Sequence, residues 1–222
     1  LFRNRNSLFE HRSASSGINA ISRMHSGWGT KFIDFDNDGW KDLFVSQSHV
    51  MDNIELTQPG TNYKELPLLM RNVAGKFMDV SAKSGLGAAM AARGAAFGDL
   101  NNDGAIDIVI SALSSPARVY RNTSTHNWLM IQTLGTKSNR DGIGASVRIT
   151  PASGPDQFGF VSTAGSYLSS HDKRLHFGLG TNRQVKLIEI KWPSGIVQTW
   201  TNVPANQLFL ATEFSAENLF FY

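Results

Sequence analysis

The 222-residue sequence predicts an all-β protein in two unequal parts, and three observations carry that prediction. Short apolar runs such as DLFVS and DIVIS have strand length and are rich in β-branched or aromatic residues. An internal repeat of roughly 65 residues brings such runs back in the same order, as blades of a propeller do. Helical periodicity is weak throughout, and the Ala-rich GLGAAMAARGAAFGD holds four glycines, which favours a loop and a tightly packed strand.

The first part runs to about residue 125, the boundary being read from where the repeat stops. RNRNSLFEHRSASSGI (3–18) matches RNVAGKFMDVSAKSGL (71–86) through Arg3/Arg71, Asn4/Asn72, Phe9/Phe77, Ser13/Ser81 and Gly17/Gly85. A third Arg-Asn pair stands at Arg121-Asn122, and VMDNIELTQPGTNYKELP reads as a polar insertion in the first copy. The sequence predicts about two blades here. A closed propeller needs about four to eight, so the open edges call for cover, either from residues upstream of Leu1 or from other chains. Leu1 also opens in mid-pattern, which reads as a fragment or a processed form.

The second part, 126–213, carries no copy of the repeat. In GIGASVRIT, Ile143, Ala145, Val147 and Ile149 alternate with Gly144, Ser146, Arg148 and Thr150, which puts one face inward. KLIEIKW sets Ile188, Ile190 and Trp192 on one face, and WPSGIVQTW signals a hairpin through Pro193 and Gly195. The last residues, 214–222, lack pattern, and ENLFFY looks like a protease-tag remnant.

Composition narrows the function. With no cysteine there are neither disulfides nor thiolate metal sites. No apolar run approaches the roughly 18 residues that span a bilayer. The net charge of +3 is small and the basic residues are scattered, so no nucleic-acid footprint stands out. Seven of the twelve aspartates, however, sit in two short segments.

Those segments are FIDFDNDGWKDLFVS (32–46) and FGDLNNDGAIDIVIS (97–111). Counted from Asp34, carboxylates fall at positions 1, 3, 5 and 9 (Asp34, Asp36, Asp38, Asp42), with Gly39 at 6. The second copy has Asp99, Asn101, Asp103 and Asp107, with Gly104 at 6. Oxygen donors at alternate positions of a tight loop can converge on one hard cation, and the carbonyls of Trp40 and Ala105 at position 7 can join them. An all-oxygen donor set suits Ca²⁺. An EF-hand needs a Glu at position 12 and flanking helices, but position 12 is Val45 or Ile110 in a predicted strand. The plainer alternative is that the Asp, Asn and Gly residues only make turns; the repeated spacing argues against it.

Other candidates are weaker. Asp172, Arg174 and His176 would share one side of a strand, able to hold an anion, a sugar or a carboxylate, or else to form a salt-bridged network. A nucleophile–base pair of Ser169 or Ser170 with His176 rests on common residues, and no Gly-x-Ser-x-Gly elbow accompanies it. Asn122 opens an Asn-Thr-Ser glycosylation pattern.

GWGTKFIDFDNDGWKDLFVS and RGAAFGDLNNDGAIDIVIS resemble the FG-GAP/VCBS repeats of integrin-α-like β-propellers; Phe97-Gly98 matches the name motif, where the first copy has Phe32-Ile33. SNRDGIGASVRI, GSYLSSHDKRLHFGLG and IEIKWPSGIVQTW resemble the ASPIC/UnbV domain, which follows such repeats in cartilage acidic protein-like proteins. The resemblance implies calcium in the loops, stiffening each blade. The expectation is a non-enzymatic calcium-binding adhesion or binding module, extracellular, periplasmic or at the cell surface, with a protein or glycan ligand. Two rivals stand beside it: a ring or filament built through open sheet edges, and an enzyme or biosynthetic accessory using Asp172, Arg174 and His176.

Overall fold

A computed structural model describes residues 1–214, so the tail beyond Phe214 lies outside the described residues. The fold is all-β, in five small sheets, none closed on itself. Strands β1 (Phe2–Arg5) and β2 (Leu8–His11) form an isolated antiparallel hairpin, followed by a one-turn helix α1 (Ile18–Ser22) that the sequence did not signal. Strands β3 (Gly27–Ile33), β4 (Asp42–Gln47), β5 (Leu68–Val73) and β6 (Lys76–Asp79) make an up-and-down sheet in sequential order. Strands β7 (Ala92–Gly98), β8 (Asp107–Ala112) and β9 (Ser115–Tyr120) make a second one with three strands. The Ala-rich segment is thus a loop leading into β7, because its small residues let backbones approach. A Cβ on Gly29 of β3 would meet Ala95 N and Arg93 O of β7.

The two sheets are built alike. In each, the inner hairpin carries an acidic loop and a bulge at the matching place, Gly27/Thr30 and Ala92/Ala95. In each, a serine hydroxyl takes up the bulge amide: Gly29 N donates to Ser46 Oγ at 2.8 Å, and Gly94 N to Ser111 Oγ at 3.1 Å. Their shared core holds Ile33, Phe44, Ala95, Phe97, Ile108 and Ile110, with Phe44 edge-on to Phe97 at 5.3 Å.

The rest of the described chain forms two further sheets. Strands β10 (Asn127–Leu134), β11 (Ser146–Pro151), β12 (Gln157–Phe160), β13 (Leu175–Gly180), β14 (Gln184–Lys191), β15 (Val197–Pro204) and β16 (Gln207–Thr212) pair as β13-β10-β16 and β12-β11-β14-β15. The β10–β16 pair is parallel, which no local pattern announced. Ala145, Val147, Ile149, Ile188, Ile190 and Trp192 are buried in one core, as their alternation predicts. Ile143 is not: it precedes β11 and is partly exposed, its N–H and C=O held by the Asn139 side chain at 2.9 and 2.7 Å. The predicted hairpin is β14–β15, with Gly195 at φ 90° in its turn.

Candidate functional site

The two acidic loops fold identically because the same positions make the same bonds. The position 1 carboxylate accepts two backbone N–H groups. Asp34 takes those of Asp38 and Gly39 at 3.0 and 2.9 Å; Asp99 takes those of Asp103 and Gly104 at 3.1 and 2.7 Å. Position 4 is Asn in both, left-handed at φ 57° and 60°, and the position 6 glycines sit at φ 93° and 85°. The position 9 carboxylate closes the loop: Asp42 accepts from Phe35 N, and Asp107 from Leu100 N.

A second layer of residues escaped the loop-centred reading. The Arg-Asn pair after each sheet's third strand clamps that sheet's loop. Arg71 lies 2.7 Å from Asp36 and 3.2 Å from Asp38, while Arg121 lies 3.2 Å from Asp103. Asn72 N and Asn122 N both donate at 2.8 Å to the position 9 carboxylates, Asp42 and Asp107. The asparagine side chains reach back to Lys41 O and Phe35 O, at 2.9 and 2.7 Å. The amide nitrogen that a glycan on Asn122 would require is therefore already engaged. The repeated Arg-Asn spelling was the available signal.

The loops differ as cation sites. Asp34, Asp36 and Asp42 bring one carboxylate oxygen each within 4.8 Å of one another. Asp36 Oδ1 is buried without a hydrogen-bond partner. Burial, then mutual repulsion, raises Asp34 to a pKa of about 6; burial chiefly raises Asp42 to about 7, and Asp36 is also raised. These are oxygens placed for a cation and lacking a proton donor. In the second loop Asn101 takes position 3 and donates to Asp103 at 2.8 Å, so one carboxylate fewer faces the centre. Trp40 is partly exposed, whereas Ala105 is fully buried.

Asp172, Arg174 and His176 do not share a strand face. Only His176 lies in β13, and Asp172 and Arg174 precede it in a bend. All three are turned on the second loop and its stem. Asp172 N donates to Phe97 O at 3.1 Å; Arg174 donates to Asn102 Oδ1 and Asp99 O, both at 2.7 Å, and pairs with Asp172 at 2.6 Å. His176 Nε2 donates to Gly104 O at 3.0 Å, and burial, then the Lys41 charge, lowers its pKa to about 3, leaving it neutral. The first loop is gripped likewise: Gly180 N donates to Asn37 O at 2.7 Å, and His126 Nδ1 to Asp36 O at 2.7 Å. Ser169 and Ser170 stand apart from such a pair, Ser169 Oγ donating to Tyr167 O.

Between these elements lies a cleft of about 290 Å³ lined by Lys31, Lys41, Phe158, Phe160, Arg174 and His176, among others. Lys41 donates to His176 O at 3.1 Å and faces the Phe177 ring. Desolvation lowers the pKa of both Lys31 and Lys41.

The site is thus a pair of acidic loops on small meander sheets, held from behind by a separate β core. Residues 135–218 match the family described as ASPIC and UnbV. The chain is 27% identical over 177 residues to "Cartilage acidic protein 1" of Xenopus tropicalis, a match covering 75% of this chain. It spans 25% of that relative's length.

Proposed function

We propose that this chain is a non-enzymatic, extracellular-type binding or adhesion module whose blade loops are stiffened by calcium. The observation that carries the reading is the convergence of Asp34, Asp36 and Asp42 within 4.8 Å, with a buried Asp36 oxygen left unpartnered. Asp34, Asp36, Asp38 and Asp42, with the Trp40 carbonyl, would hold the ion; Asp99, Asn101, Asp103, Asp107 and the Ala105 carbonyl form the weaker copy. The ion supplies positive charge to carboxylates that otherwise repel, and the Asx-type bonding of each loop supplies its shape. In this reading 1–125 are FG-GAP/VCBS-type blades and 126–213 an ASPIC/UnbV-like domain. The match of 135–218 and the similarity to an acidic cartilage protein support it. Weak calcium sites fill where calcium is millimolar, which favours a place outside the cytoplasm and a protein or glycan ligand. The engagement of Asp172, Arg174 and His176 with the second loop supports a fastening role for them rather than catalysis.

The test is a thermal melt in excess Ca²⁺, in Mg²⁺ and in chelator. A ligand at about 100 times its dissociation constant stabilises by about 2.7 kcal/mol per site, so the transition rises by several degrees in Ca²⁺ alone. Asp36→Asn removes most of that rise. An identical melt in all three conditions would falsify the calcium reading.

A further inference from the structure

The hairpin β1–β2 is a copy of β5–β6 at an offset of 68 residues, and the copy extends to individual bonds. Phe2↔His11, Arg3↔Glu10, Asn4↔Phe9 and Arg5↔Leu8 repeat Met70↔Asp79, Arg71↔Met78, Asn72↔Phe77 and Val73↔Lys76. Arg12 N donates to Leu1 O as Val80 N does to Leu69 O, both at 2.9 Å. Ser13 Oγ accepts from Leu1 N as Ser81 Oγ accepts from Leu69 N. Ser7 N donates to Asn4 Oδ1 as Gly75 N does to Asn72 Oδ1.

What differs is the other edge. Strand β5 pairs with β4, and Arg71 and Asn72 clamp the acidic loop that β4 leaves. Strand β1 pairs with β2 alone. The side chains that the second copy buries are bare in the first: Phe2 is 64% exposed against 0% for Met70, and Phe9 69% against 8% for Phe77. Phe77 lies 6.2 Å from Phe32 of β3, and Phe9 has no such neighbour among the described residues. Arg3 stands in no ion pair among the described residues, while Arg71 and Arg121 each hold an aspartate.

We propose that the free edge of β1 is a docking edge for a β-hairpin closed by an Asp-x-Asp-x-Asp-Gly-x-x-Asp loop, with Arg3 and the Asn4 N–H as its clamp. The two loops of this kind in the chain are already clamped by Arg71-Asn72 and Arg121-Asn122, so neither is the occupant in the folded chain. The occupant is a further hairpin of the same chemistry: an aromatic facing Phe9, a carboxylate pair facing Arg3, and a position 9 carboxylate accepting from Asn4 N. Charge and shape agree, since an unpaired guanidinium beside exposed phenyl rings matches an acidic loop on an apolar strand. The proposal does not depend on the calcium reading.

The experiment supplies such a hairpin. Residues 27–47 of this sequence are fused through a Gly/Ser linker ahead of Leu1, and amide hydrogen exchange is followed at Phe2 and Asn4 in chelator. The expected result is slowing on the order of tenfold relative to the unfused chain, lost in the Arg3→Ala fusion and absent when the fused segment has a scrambled loop. Unchanged exchange in the fusion overturns the proposal, as does equal slowing with the scrambled loop or without Arg3.

Discussion

Glu213 lays its carboxylate over three consecutive backbone N–H groups, those of Thr136, Lys137 and Ser138, at 2.9, 2.9 and 2.7 Å, and over the hydroxyls of Ser138 and Ser194. This nest outweighs its desolvation and lowers its pKa to about 2. A carboxyl whose folded pKa lies below its unfolded value stabilises fully above about pH 4.5 and loses that contribution as pH falls toward 2. Glu213→Gln should therefore lower the melting temperature at pH 7 and leave it almost unchanged at pH 2; a deficit of equal size at both would show that shape, not charge, matters there. Nothing in the sequence singled out this glutamate, because the nest is assembled from residues 75 or more positions away. The loop aspartates were legible for the opposite reason: all their partners lie within nine positions, so spacing alone encodes them. Arg71 stood between these cases, visible as a repeat but not as a clamp, since its partners are 33 or more residues upstream.

The acidic loop works as an element only with its guanidinium in place. Arg71 neutralises Asp36 and Asp38, the same charges a bound cation would neutralise. Arg71→Ala should cost about 1 kcal/mol or less in chelator, given its partial exposure, and less still in excess Ca²⁺. Equal losses in both would mean that arginine and cation act on different groups. The position 6 glycines answer to two demands at once. Gly104 is left-handed and a Cβ there would overlap the Trp128 ring; at Gly178 a Cβ would overlap Asp34 and the Asn37 backbone. Gly178→Ala isolates the packing demand, since its backbone is ordinary, and should cost about 1–3 kcal/mol by overpacking. A melt within half a degree of the parent would place the two surfaces farther apart than described. Register within each meander was readable from alternation, whereas the parallel β10–β16 pair joins segments that carry no mark of one another.

At the scale of the molecule, the blade-like sheets and the later β core meet through the loops themselves. Arg174, His176 and His126 donate to loop carbonyls or to Asn102, and Asn37 Nδ2 donates to Gly104 O, tying one loop to the other. Unfolding should accordingly be one cooperative transition, and Arg174→Ala with His176→Ala should split it into two, seen by calorimetry. A single transition in the double variant would mean that the apolar contacts suffice. The two-part organisation was visible in the sequence because one part repeats and the other does not. Their joining was not, because the clasping residues read equally well as a ligand site. The offset copy of β5–β6 has a last consequence. Repeat and sheet are out of phase: each unit first completes the sheet behind it, then begins the sheet ahead. Such units interlock like overlapped bricks. A cut at the edge of the repeat passes through the middle of a sheet, and a cut that leaves sheets whole falls inside the repeat.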